Sequence, residues 1–193
     1  MSNIYVKIPA ASTSQKKPGM STIYLAPKDW FLALQNPSAV TPGPNNGGLA
    51  YTVSAAHTFK TPATVVSLMT TWATTLGWIK MDATVNGNEL EGKSVGEPGS
   101  KTPEWMVKGF VAGLSANLIE FFDRSMNDDW IAIIKNSDCQ NPEFYQVGCD
   151  CFPATLDWNF KSGTVKGGKK GFEFTLTSNC SALRYTATLP ILT

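Results

Sequence analysis

With 193 residues, the chain is long enough to bury a sizeable core as one domain. A formal charge of +1 and a charged fraction of 16% give no basic footprint of the kind a nucleic-acid binder or a polybasic membrane protein carries. No run nears the roughly 20 apolar residues of a membrane helix, and residues 1–20 lack the apolar centre of a secretory signal, so a soluble, unexported protein is expected.

Residues 1–20 mix Ser, Lys, Pro and Gly around one apolar run, Ile4-Tyr5-Val6, and read as an N-terminal arm. Ile23-Tyr24-Leu25 reads as a short strand, and Trp30, Phe31 and Leu34 in residues 28–34 have the spacing of a brief helical turn. Residues 36–48, with three prolines and three glycines, read as a loop. Residues 49–60 alternate with a period of two and predict one strand. Thr61 and Pro62 suit a helix start, and Val65, Leu68, Met69, Trp72 and Leu76 keep helical spacing up to Gly77. The many β-branched residues of that segment compete for extended structure.

Residues 80–103 hold glycines, two prolines and scattered charges with little to bury, and read as a long projecting loop. Residues 105–114 alternate as a strand, and Ser115 can cap a helix whose Leu118, Phe121, Phe122 and Met126 form an apolar stripe. From Trp130 to Leu189, five short runs read as a β meander. Its clearest member sets Ala154, Leu156, Trp158 and Phe160 against Thr155, Asp157, Asn159 and Lys161. Residues 162–171 form a Gly- and Lys-rich hairpin loop. The expected fold is therefore mainly β, a β-sandwich or partial barrel with one flanking helix, a long loop and an N-terminal arm.

Little in the chain points to chemistry. His57, the only histidine, lies on the apolar face of its strand and reads as a core or interface residue, so a hydrolase triad is not expected. Cys139, Cys149, Cys151 and Cys180 lack the paired knuckle spacing of a zinc site. In an extended strand Cys149 and Cys151 share a face and read as a buried apolar pair, and a bridge from either to Cys139 or Cys180 stays open in an oxidising medium. No metal, cofactor or catalytic site is expected. Six tryptophans and ten phenylalanines suit core filling or interface anchoring.

The order of strand, short helix, central strand and meander resembles the tail tube proteins of tailed bacteriophages and contractile injection systems. The likeness is greatest over residues 105–189, through Val147-Gly148, the proline-led Pro153-Ala154-Thr155-Leu156, the hairpin Ser162-Gly163 and the glycine-led strand at Gly171. It implies homo-oligomeric rings, usually hexameric, stacked into a tube whose lumen passes DNA without sequence recognition. It also implies other tail proteins as partners, no membrane, assembly in the bacterial cytoplasm and residence in the virion tail. Ile4, Tyr5 and Val6 of the arm and Glu89, Leu90 and Val95 of the loop are the expected oligomer contacts, because neither segment has the apolar content to fold alone. Family lumens tend to be acidic, whereas this chain is near neutral. Other virion parts (a tail terminator, a neck or a decoration protein), a β-sandwich binding module and an enzyme whose site escapes motif reading stay open as alternatives.

Overall fold

The computed structural model of the chain describes residues 20–35, 38–39, 51–53, 55–60, 76–81, 83–84, 88–137, 142–163 and 168–191. The elements in order are β1 (Met20–Pro27), a 3-10 turn (Lys28–Trp30), β2 (Phe31–Ala33), β3 (Ser38–Ala39), β4 (Tyr51–Val53), β5 (Thr58–Phe59) and β6 (Ile79–Met81). There follow β7 (Glu89–Val95), β8 (Thr102–Ala112), α1 (Ala116–Ser125), β9 (Trp130–Asn136), β10 (Phe144–Val147), β11 (Thr155–Lys161), β12 (Gly171–Ser178) and β13 (Leu183–Tyr185). A seven-stranded sheet runs β3-β4-β13-β10-β9-β1-β6, a four-stranded sheet runs β11-β12-β8-β7, and β2 pairs with β5. Every pairing of these strands is antiparallel except β13 with β4. The fold is mainly β, with no closed barrel among the described residues.

The large sheet is buried on both faces. Ile23 and Leu25 of β1 and Trp130, Ala132 and Ile134 of β9 point into a core shared with Val107, Leu156, Phe172, Phe174 and Leu176 of the small sheet. Their alternates Tyr24, Ala26, Ile131 and Ile133 enter a second core with Val53, Trp78, Leu183, Tyr185 and Phe31. That double burial explains why residues 130–135 are almost continuously apolar where a one-sided strand would alternate. At Gly109 of β8 an added Cβ would sit 2.4 Å from the Phe174 ring on the adjacent strand and 3.2 Å from Ile23 of the large sheet. Only glycine fits there.

α1 closes one side of the first core. The Ser115 side chain accepts the Leu118 amide at 3.2 Å as its N-cap. Phe122 is fully buried and stacks on Phe172 with ring centroids 4.6 Å apart. Leu118 and Phe121 pack beside it, whereas Met126 is half exposed. The Trp130 indole donates to the Ser125 carbonyl at 3.1 Å and ties the end of the helix to the central strand.

Several sequence expectations are corrected. The helical turn at 28–34 is a 3-10 turn of three residues, after which Phe31 enters β2. Residues 38–39, within the expected loop, form β3. The single strand expected over 49–60 is broken, with β4 in the large sheet and β5 against β2. The expected projecting loop over 80–103 begins in β6 and contains β7, a paired edge strand. The expected meander is not one sheet: β9, β10 and β13 belong to the large sheet, while β11 and β12 belong to the small one. Alternation marks which side chains face a core, and both sheets offer one. The helix expected after Thr61 and the arm holding Ile4, Tyr5 and Val6 lie outside the described residues.

Phe122→Ala should cost about 3–5 kcal/mol of stability by emptying a fully buried, stacked position. Urea denaturation of the two proteins measures it, and a loss well under 1 kcal/mol would place α1 outside the core.

Candidate functional site

Of the expected contact residues, Glu89, Leu90 and Val95 all lie on β7, the outermost strand of the small sheet. Leu90 packs against the first core, so it holds the strand to the fold and does not offer a free contact. Gly92 lies opposite Trp105, where a Cβ would come within 2.7 Å of the indole, so the glycine lets the tryptophan lie across the strand. Glu89 and Val95 sit at opposite ends of the strand, Glu89 exposed and Val95 half-buried.

β8 outruns its inner neighbour. β12 pairs with β8 only as far as Ser178 opposite Trp105, whereas β7 continues through Lys93↔Glu104, Ser94↔Pro103 and Val95↔Thr102. Residues 93–104 therefore form a two-stranded ribbon beyond the sheet, and apart from Val95 and Glu104, which are half-buried, they are exposed. Lys93 and Glu104 are joined at 2.6 Å across its base. Three pairs at about 3.3 Å each carry the turn about 10 Å past β12. Positive φ angles at Gly96 and Gly99 shape that turn.

The outer face of the small sheet is polar and charged. The inward residues of β8, β11 and β12 are apolar, so their alternates and those of β7 form the opposite surface. It carries five carboxylates (Glu89, Glu91, Glu104, Asp157, Glu173) against three lysines of its strands (Lys93, Lys108, Lys161) and Lys169 of the hairpin, whose ammonium lies 5.6 Å from the centre of the outward Phe110 ring. Lys108 meets Glu91 at 2.6 Å and Glu89 at 3.9 Å, and Lys161 meets Glu173 at 2.7 Å. The Lys108 hydrogen bond holds the Glu91 carboxyl below its ordinary pKa and raises that of the lysine. Such exposed pairs are screened by solvent and mainly set cross-strand registry.

His57 is a buried polar residue of the second core, as its place on an apolar face suggests. Its Nδ1 accepts the Gln35 amide at 3.0 Å, which leaves Nε2–H to donate to Gln146 Oε1 at 2.9 Å. Gln146 Nε2 in turn donates to the Gly148 carbonyl at 3.0 Å. Rings of Phe31, Trp78 and Tyr185 surround the imidazole at centroid distances of 5.5–6.0 Å. Burial holds its pKa below the ordinary value of 6.5, the Gln146 contact acting the other way. Among the described residues no serine or cysteine is hydrogen-bonded to it, and Gln35 and Gln146 orient it within the core.

One pattern escapes the sequence reading. Gly92-Lys93-Ser94-Val95-Gly96 fits the G-x-S-x-G of a nucleophile elbow, which places its serine between a strand and a helix. Here Ser94 stands in a hairpin opposite Pro103, so the match is one of letters alone. The cysteine reading is also corrected: Cys149 and Cys151 lie in the bend after β10, half-buried and exposed respectively, and are not a buried pair on a strand. Cys139 lies outside the described residues. A cleft beside β2 gathers Asp29, Asp128, Asp129 and Asp150 with Lys28 and Lys60. Burial, followed by the charges of Asp29 and Asp129, raises the Asp128 pKa. Lys28 meets Asp150 at 3.3 Å. Among the described residues, no group of three or more His, Cys, Asp or Glu side chains is placed to hold a metal ion, and no helix is long and apolar enough to cross a membrane.

The fold and surface define an open β-sandwich with a projecting ribbon. No known family model, curated protein or solved structure matches the chain.

His57 predicts an acid-sensitive fold. Because its folded pKa lies below 6.5, the unfolded chain takes up the proton first as the pH falls. Its contribution is complete above about pH 6.5 and is lost as the pH drops through the folded value. Urea midpoints measured from pH 7.5 down to the carboxylate range should fall in the wild type and fall less in His57→Gln; parallel curves would remove His57 as the source.

Proposed function

We propose that the chain is a self-assembling structural subunit of the phage tail-tube type, forming rings that stack around a lumen through which DNA passes. The observation that carries this reading is the ribbon of residues 93–104, which among the described residues has no sheet neighbour on either edge. Isolated two-stranded ribbons are marginally stable in water, and one that leaves its sheet gains most from burial against another molecule. In a ring stack the nearest such molecule is a second copy of the same chain. Rings with cyclic symmetry need heterologous contacts around the ring and a further contact along the axis, and a ribbon of this reach suits the second.

The outer face of the small sheet supports the same reading. Its excess of carboxylates would repel the phosphate backbone and let DNA slide without sticking, although the chain as a whole is near neutral. A lumen of that kind needs no cofactor and no sequence readout. The reading places the assembled protein in a virion tail, built in the host cytoplasm with other tail proteins as neighbours.

The decisive variant trims only the ribbon, because Leu90 and the β7 ladder belong to the folded sheet. Replacing residues 95–102 by Asn-Gly joins Ser94 to Pro103 with a two-residue hairpin turn. The variant should unfold within a few degrees of the wild type yet form no long rods in negative-stain images. Rods of normal length would show that the ribbon is not the axial connector. A wild-type chain that stays monomeric at high concentration would sink the tube reading and favour a β-sandwich binding module.

A further inference from the structure

The chain crosses between its two sheets at residues 148–154, from β10 to β11, and again at residues 179–182, from β12 to β13. A single acceptor ties the two crossings together. The Phe152 carbonyl receives the Cys149 amide at 3.1 Å and the Ser178 hydroxyl at 2.8 Å, and Ser178 Oγ in turn accepts the Cys180 amide at 3.1 Å. Cys149 and Cys180 are thus linked through three hydrogen bonds, and the Cys149 thiol is near enough to the Cys180 thiol to raise its pKa. Both are half-buried, whereas Cys151 is exposed. We propose that Cys149 and Cys180 are a latent disulfide pair, closed by exchange with a small-molecule disulfide, that covalently staples the two sheet crossings.

The exchange balances without a metal or cofactor. The Cys149 thiolate attacks one sulfur of the small disulfide and displaces the first thiolate. Cys180 gives up its proton and attacks the Cys149 sulfur, expelling the second thiolate. Two protein thiols lose two electrons and two protons, and the small disulfide is reduced to two thiols. Burial and the neighbouring Cys149 push the Cys180 thiol up to about 12, so closure runs faster at pH 9 than at pH 7. The new bond would close a loop of about 30 residues and so restrict the unfolded chain. The staple does not depend on assembly and holds equally for a monomer.

Wild-type protein treated with oxidised glutathione, alkylated and digested with proteases that cut before Asp150 and after Glu143 gives separate peptides for Cys139, Cys149 and Cys151. A Cys149 peptide linked to the Cys180 peptide, with a higher thermal midpoint than the reduced protein, is the expected result. Cys151→Ser should keep both the link and the gain, whereas Cys149→Ser and Cys180→Ser should lose them. Links through Cys151 or Cys139, glutathione adducts alone, four unmodified thiols, or a link with no rise in midpoint would each overturn the proposal.

Discussion

The structure depends on the pairing of β1 with β9. Seven registered pairs join them, and every apolar side chain from Ile23 to Ala26 and from Trp130 to Ile134 is buried in one of the two cores. A sheet covered on both faces leaves little solvent for its polar groups, so a polar residue that enters gains by bringing its own partner, although the buried indole N–H groups of Trp30 and Trp78 have none among the described residues. Asn136 has a partner at the end of β9, where its Oδ1 accepts the Glu143 amide at 3.1 Å, and His57 and Gln146 satisfy each other beside β13. The same rule explains why the small sheet can be charged: only one of its faces meets a core, and the other is free to carry Glu91, Lys108 and Glu173.

Much of this was legible in the residues, and the misses share a cause. α1 was readable because Ser115, Leu118 and Phe122 combine a cap with a helical stripe, and β8, β11 and β12 because their apolar residues alternate against one core. β7 was not, since Glu89-Leu90-Glu91-Gly92-Lys93-Ser94-Val95 has only Leu90 to bury and is held by backbone ladder and charge pairing, neither of which leaves a periodic trace. The meander failed for a different reason. Period two identifies an inward face without naming the sheet, and the switch after Gly148 is governed by a positive φ of 92° and a close approach to the Trp130 carbonyl.

The candidate site was legible only in part. The low apolar content of residues 80–103 predicts little burial, which fits the mostly exposed ribbon of residues 93–104 and does not fit Leu90, packed against the first core. Charge balance over the whole chain concealed the surface that matters. A formal +1 averages over basic residues elsewhere, whereas the outward positions of four adjacent strands collect carboxylates on one face. Only a fold can sort charges by face.

The separation of β1 from β9 also shapes how the molecule comes into being. Ala26 pairs with Ile131, so about 100 residues must follow β1 before β9 exists, and only the three-residue β6 can pair with β1 sooner. At a synthesis rate of about 5–20 residues per second, β1 waits roughly 5–20 s for β9. β7 and β8, joined by a short turn, can pair as soon as they emerge, and closing the large sheet is left as a late, non-local event. The newborn chain therefore passes through an interval in which the apolar strand β1 lacks its main partner, the period when it is most open to chaperones and to wrong partners.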